Sequence, residues 1–256
     1  MKITTFIFIL TIGFLFSCNQ PLQENATISL MLVDAPAVYD EVWIDVVAVR
    51  IKYENADEDM GWLEIKDFVP AKYNLLEYCN GKDTLLVSSL IAAGTISQIR
   101  LILGDGNYVV ADGKAYTLET PSASTSGLKI NVHEEFESGV EKLVWLDFNA
   151  AKSIVTTGNG KYKLNPVIRT YTTSTSGAIK GSVYPKESFP YVYVILEKDT
   201  LGTFADENGL FLIPGIPGGT YTVQFDVLEP YIDKSIGNVT VSNGQSTDLG
   251  EVIISQ

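Results

Sequence analysis

The chain has 256 residues, 46% of them apolar, with a formal net charge of −13 and only two cysteines. That length and apolar content support a packed core in one large or two ordinary domains and exclude a largely disordered chain. The acidic balance excludes a nucleic-acid partner, because phosphate binding rests on Lys and Arg neutralisation, and it disfavours a basic membrane-binding face.

Met1-Lys2 is followed by an apolar run from Ile3 to Phe16 and then Ser17-Cys18. One positive charge before about fourteen apolar-to-neutral residues is the layout of an export signal, too short to span a bilayer stably. Leu15-Phe16-Ser17-Cys18 resembles the bacterial lipobox. The resemblance implies cleavage after Ser17, so that residues 1–17 are a lipoprotein signal peptide, and diacylglycerol attached to the Cys18 thiol. Residues 18–25 then form a lipidated tether, which reaches only about 20–25 Å when extended. Asn19 in place of Asp resembles the sorting signal for the outer membrane. Removal of Cys18 into the lipid leaves Cys79 without a partner for an intrachain disulfide. It reads as a small packing residue rather than a nucleophile.

From Ala26 the chain reads as strands. Ile28, Leu30 and Leu32 alternate with Ser29 and Met31, and Val42–Tyr53 is a long β-branched and aromatic run. Asp34-Ala35-Pro36 ends the first strand, since Pro removes a ladder donor. The acidic stretch Glu54–Gly61 reads as a turn, and Trp62–Ile65 as a return to extended structure. Thr84–Ala93 departs from this pattern. Leu86, Leu90 and Ala93 stand at i, i+4 and i+7 before Gly94, which predicts a short amphipathic helix with a glycine C-cap. Strands follow at Ile96–Leu103, Tyr108–Val110, Ala115–Leu118, Leu128–Val132, Lys142–Phe148 and Lys161–Tyr171, with Asp112-Gly113 as a hairpin turn. Thr170–Gly177 reads as a polar Ser/Thr connector. Beyond it seven short strands recur over about eighty residues: 179–184, 191–197, 202–205, 210–213, 220–227, 239–241 and 249–254. That is the size of a small Greek-key sandwich.

Residues 26–172 resemble the bacterial domain-of-unknown-function 4382 family. The resemblance is carried by Val33-Asp34-Ala35-Pro36, Trp62, Asn80-Gly81, Ala93-Gly94 with Gln98 and Arg100, and Pro121-Ser122 with Ser126-Gly127-Leu128-Lys129. It continues through Asp147-Phe148-Asn149-Ala150 with Ser153 and Leu164-Asn165-Pro166-Val167. Asn149 stands where the family pattern has Asp. Residues 178–256, with 173–177 as linker, resemble the carboxypeptidase regulatory-like module, a transthyretin-type sandwich. There the carriers are Gly181-Ser182-Val183, the hairpin Thr203–Phe211 around Asp206-Glu207-Asn208-Gly209, and Ile216-Pro217-Gly218-Gly219-Thr220-Tyr221. The expected fold is therefore mostly β, two tandem β-sandwich domains, the second seven-stranded. The transthyretin-type fold is shared with carbohydrate-binding modules, a weak warrant for sugar binding.

Several residues invite a chemical reading. Asp34, Arg100, Lys129 and Asp147 are charged residues in strand or strand-end positions, fit either for a site with shifted pKa values or for a structural Arg–Asp bridge at the Asp-Ala-Pro turn. Asp105, Asn107, Asp112 and Asp57-Glu58-Asp59 offer oxygen ligands without EF-hand spacing and read as turn chemistry. His133 is the single histidine and reads as a surface residue. Tyr184, Phe189, Tyr191, Tyr193 and Tyr231 are candidates for a sugar-stacking platform. Tyr191 and Tyr193 share one strand face, and the competing reading buries them in the sandwich. No nucleophile elbow, phosphate loop or metal-spaced set is present, so neither catalysis nor a cofactor is expected. The sequence thus points to a non-catalytic, lipid-anchored protein of the bacterial outer membrane that presents a binding or adhesive surface. Its expected partners are the membrane through the lipid, and glycans or other envelope proteins. The rival readings are a carboxylate-dependent hydrolase of polysaccharide or peptide, and a structural spacer or assembly subunit.

Overall fold

The computed structural model describes residues 24–57, 61–120, 126–158, 160–197 and 199–256. The expected export signal, Cys18, Asn19, Glu58-Asp59 and Pro121-Ser122 lie outside the described residues. Thirteen strands form the first unit: β1 (Asn25–Ala35), β2 (Glu41–Tyr53), β3 (Trp62–Glu64), β4 (Ala71–Asn74), β5 (Thr84–Ala92), β6 (Gly94–Leu103), β7 (Tyr108–Ala111), β8 (Lys114–Glu119), β9 (Leu128–Phe136), β10 (Glu141–Asn149), β11 (Ile154–Thr156), β12 (Tyr162–Leu164) and β13 (Ile168–Tyr171). A single helical turn, α1 (Ala150–Ser153), follows β10. A four-stranded sheet runs β13-β10-β1-β5, and a larger sheet runs β11-β12-β8-β7-β2-β6-β9, with β3 and β4 both pairing to β2.

The core lies between these sheets because their inner faces carry the alternating aliphatics. Ile28, Leu30 and Leu32 of β1, Val144, Leu146 and Phe148 of β10, and Val42, Ile44, Ile99 and Leu101 of β2 and β6 are fully buried and form one cluster. Each such side chain contributes about 1.5–3 kcal/mol by leaving water. The β7–β8 hairpin turns at Asp112-Gly113, both at positive φ, the two-residue turn whose twist matches its strands. Asn107 is likewise turn chemistry: its Oδ1 accepts from Asp45 N at 2.8 Å and its Nδ2 donates to Gly104 O at 2.6 Å. Among the described residues no His, Cys, Asp and Glu side chains gather in threes as a metal would require. No helix of those residues is long and apolar enough to cross a membrane.

The segment expected to be helical is a strand. β5 pairs antiparallel with β1, from Asn25↔Ala92 to Leu32↔Thr84, with a bulge at Leu30/Met31. Val87, Ser89 and Ile91 are buried while Leu90, placed by the helical pattern on the apolar face with Leu86, is 70% exposed. The same residues satisfy period 3.6 and, past the bulge, period 2. An isolated helix of ten residues is marginal, whereas the free edge of β1 offers backbone partners along the whole segment.

The second unit is built of β14 (Ser176–Tyr184), β15 (Tyr191–Leu196), β16 (Asp199–Phe204), β17 (Leu210–Pro217), β18 (Gly219–Asp226), β19 (Lys234–Val241) and β20 (Ser246–Ile253). Sheets β17-β14-β20 and β16-β15-β18-β19 face each other. Ile179, Val192, Val194, Ile213, Val223 and Phe225 lie in a core that shares no residue with the first. Phe211 meets Phe225 edge to face at 5.7 Å across the two sheets. The Asp206 carboxylate accepts from the backbone of Asn208 and Leu210 and so shapes the β16–β17 turn. The Tyr221 hydroxyl donates to Pro217 O at 2.9 Å. The Ser/Thr stretch between the units is not slack. Thr170 and Tyr171 belong to β13, Thr172 and Ser176 are buried, and Ser176 Oγ donates back to Thr172 O at 2.8 Å. Short polar side chains here bond the backbone locally and form a turn.

Candidate functional site

The two units are locked along a seam that the sequence did not announce. The turn at Asn80-Gly81 presents the Asn80 amide to the edge of β17: Nδ2 donates to Leu210 O at 3.1 Å and Oδ1 accepts from Leu212 N at 2.7 Å. The side chain thus caps a strand edge as a paired residue would. Gly81 is glycine for space as well as for its φ of +76°, since a Cβ would stand 2.2 Å from the Leu212 side chain. Arg169 of β13 donates to Gly215 O at 2.6 Å and Pro214 O at 3.3 Å, and its Nη2 lies 2.5 Å from Asp147 Oδ2. Lys152 and Asp199 form a further ion pair across the seam.

Asp34 and Asp147 come together here because β1 and β10 run parallel in the register Val33↔Asp147. They line a cavity of about 90 Å³ between the units. Asp34 Oδ1 accepts from Ala150 N at 3.0 Å, while its buried Oδ2 has no hydrogen-bond partner among the described residues. Burial pushes the Asp34 carboxyl well above the usual range, opposed by the Ala150 hydrogen bond and helped by the neighbouring Asp147. Burial also raises Asp147, opposed by the Arg169 guanidinium. Arg100 and Lys129 are not members of this group. They are cross-strand partners on β6 and β9 in the other sheet, and the Arg100 guanidinium lies 3.9 Å from the Trp62 ring centroid. The arginine that does reach Asp147 stands opposite it on β13, in the register Asp147↔Arg169. Its only signal in the sequence was a charge near the end of the extended run Lys161–Tyr171, which also carries Lys161 and Lys163.

A testable consequence concerns pH. A carboxyl whose folded pKa is raised binds its proton more tightly in the folded state. The stability it contributes is full below its unfolded pKa and is lost as pH rises through the folded value. Asp34→Asn keeps an oxygen for Ala150 N–H and removes the titration. Thermal melts over a pH series should show the wild type losing stability toward alkaline pH, and the Asn variant flatter and more stable there. A variant with the same pH slope as the wild type would exclude Asp34 as the titrating group.

Cys79 stands beside this cavity, half-buried, and burial raises its thiol pKa strongly, with Asp34 and Asp147 adding to the effect. A thiol held protonated is a poor nucleophile. His133 is exposed on β9, at a bulge where its φ is +52°.

The aromatic candidates separate cleanly. Val192 and Val194 of β15 point into the core, so Tyr191 and Tyr193 lie on the outer face. Their rings stack with centroids 5.4 Å apart and 24° between planes, and Phe204, opposite Tyr191 on β16, extends the row at 5.1 Å. The Tyr193 hydroxyl donates to Asp226 at 3.2 Å. Gly202 lies beneath the row, where a Cβ would come within 2.5 Å of Tyr193 Cβ and 2.9 Å of Tyr191 Cζ, so its lack of a side chain lets both rings lie against the sheet. Tyr231 packs against the core, Tyr184 is exposed on β14 in the other sheet, and Phe189 is exposed in the loop before β15. Phe204 is the member that sequence reading missed. Its alternation in Leu201–Phe204 was the available signal.

The row ends at a groove. Phe204 forms part of the wall of a cleft of about 990 Å³ between the units, shared by Leu76 and Cys79 of the first and Ser182 and Leu210 of the second. Glu77, Lys82, Lys180, Asp206, Asp248 and Glu251 supply its charged and hydrogen-bonding groups. An apolar floor with scattered polar groups of both signs suits a hydroxyl-rich ligand with apolar faces.

A family model described as "Domain of unknown function (DUF4382)" matches residues 25–166. No curated protein matches the chain. Among solved structures, a type II cohesin–X-dockerin complex from Acetivibrio cellulolyticus matches at 22% identity and TM-score 0.25, over 30% of this chain and 56% of that one. The Bacillus anthracis TIE protein matches at 9% identity and TM-score 0.24, over 90% of this chain and 35% of that one. The minor pilin GBS52 of Streptococcus agalactiae matches at 9% identity and TM-score 0.22, over 89% and 96%. This chain thus spans little more than half the length of the first of these.

Proposed function

The chain belongs to the family described as a domain of unknown function, DUF4382, through residues 25–166, and from that premise we propose that it is a non-catalytic, lipid-anchored envelope protein that binds glycans. In this reading residues 1–17 are the signal, Cys18 carries the lipid at the outer membrane, and residues 178–256 are a carboxypeptidase regulatory-like module joined through 173–177. The observation that carries it is the outward row Tyr193–Tyr191–Phe204 running to the cleft between the units. Stacked aromatics on a rigid sheet present flat apolar faces at little entropic cost, as sugar rings require. Against the hydrolase reading stands the state of the two acids best placed for it: Asp147 is committed to Arg169, and Asp34 is buried against Ala150. A general acid or base must reach the proton it transfers.

The test is a glycan array probed with the full chain and with a double variant, Tyr191→Ala and Tyr193→Ala. Retention of the wild type on a subset of glycans should be lost in the double variant, while the melting transition changes by about 1 kcal/mol, the worth of exposed aromatic pairs. A loss of several kcal/mol would mean that the rings are core rather than surface. An array that retains neither protein would overturn the glycan reading. A reproducible hydrolytic rate abolished by Asp34→Ala or Asp147→Ala would replace it with the enzyme reading.

A further inference from the structure

Further along β17, past the cleft and the cavity at Asp34 and Asp147, the seam holds a third, open hollow of about 220 Å³, walled by residues of both units. Its aromatic wall is the cross-strand pair Trp145 and Tyr171, whose rings stack at 5.4 Å with 1° between planes. Trp145 Nε1 donates to Asp83 Oδ2 at 2.8 Å, which fixes the indole in its plane. A carboxylate has about four acceptor sites, so Asp83 keeps capacity for a ligand after that bond. The opposite wall comes from the second unit, with Gln245 and Ser246 at the start of β20 and Gly215 at the end of β17. Gly215 is pressed to the Tyr171 ring, where a Cβ would stand 2.6 Å from Cδ1.

The chemistry of these walls is specific. The volume lies below the range of about 300–1,000 Å³ typical of drug-sized ligands, so the cavity suits a single small ring. The Trp145 indole, flanked by one carboxylate (Asp83), one amide (Gln245) and the hydroxyl residues Thr173, Ser176 and Ser246, matches an object with an apolar C–H face and hydroxyls around its edge. Asp83 and Gln245 belong to different units, so a ligand bridging them would bind only the docked form and hold it closed.

We propose that this cavity is a second binding site, for one neutral pyranose unit, with the sugar's C–H face on the Trp145 indole, which the buried Tyr171 ring backs, and its hydroxyls on Asp83 and Gln245. The site stands apart from the Tyr191–Tyr193 row and does not depend on it.

Trp145 provides the readout. In the full chain carrying Trp43→Phe and Trp62→Phe, it is the one remaining tryptophan. Its emission is followed while methyl pyranosides of several configurations are added one at a time. At least one should give a saturable shift. Asp83→Ala and Gln245→Ala should each weaken that binding about tenfold, and Asp83→Asn should retain it, because the amide oxygen still accepts from a hydroxyl. Tyr191→Ala should leave it unchanged, which separates failure of this site from failure of the glycan reading above. The proposal is overturned if no pyranoside shifts the emission, or if Asp83→Ala and Gln245→Ala both bind like the parent. It is overturned equally if tetramethylammonium saturates the site and the sugars do not, since that would make it a cation cage.

Discussion

Replacing Arg169 with Met is expected to destabilise the protein by about 3 kcal/mol or more, the cost of removing one partner of a largely buried ion pair. Arg169 and Asp147 expose 30% and 12% of their side chains, and the arginine also holds the carbonyls of Pro214 and Gly215 on the other unit. Its loss leaves an uncompensated carboxylate and two carbonyls without their donor, all at the seam. Arg169→Lys should recover little, because a single ammonium cannot reach Asp147 and both carbonyls with the arginine's planar fork. The double variant Arg169→Met, Asp147→Leu should regain most of the loss, since removing both charges is often close to neutral. The single-variant deficit should also shrink toward acid pH, where Asp147, already raised by burial, accepts a proton and the unpaired charge disappears. Urea denaturation of the three variants checks all of this. A deficit for Arg169→Met below about 1 kcal/mol, in the range of an exposed pair, would mean that the seam is held elsewhere, at Asn80 or at Lys152–Asp199.

The second large effect is all-or-none. Cys18→Ala should move the protein out of the membrane fraction and abolish incorporation of labelled fatty acid, because the thiol of Cys18 is the proposed attachment atom. A single acyl chain of myristoyl length binds a bilayer only marginally, so stable anchoring needs the two or three chains of a bacterial lipoprotein. The net charge of −13 opposes binding to an anionic surface. Continued labelling of the Ala variant would place the lipid on another residue. An unlabelled variant that still sediments with membranes would show that a protein partner holds it there.

Much of the fold was legible in the chain alone. Alternation in Ile28–Leu32, β-branched and aromatic content in Val42–Tyr53 and the regular spacing of the seven short runs from Ile179 specified strands, signals that need no knowledge of the partner. Asp112-Gly113 specified a hairpin turn through its tolerance of positive φ. The same local character limits such reading. Thr84–Ala92 fits both periods, and only the open edge of β1 decides between them. In Tyr191–Ile195 both strand faces are apolar, so alternation shows two faces without saying which is inside. The facing sheet β17-β14-β20 takes Val192 and Val194 and leaves the tyrosines out. The candidate site was the least legible part. Asp34 meets Asp147 through a parallel pairing between segments more than a hundred residues apart, and Asp147 meets Arg169 through strand register. Register between distant strands is set by the global fit of their faces and by no local pattern. The sequence by itself therefore determined most of the strands and the turns between them, Thr84–Ala92 excepted. Which side chains share the seam, which aromatics face outward and which acid finds its arginine were decided only when those strands were assembled into sheets and the two cores were docked.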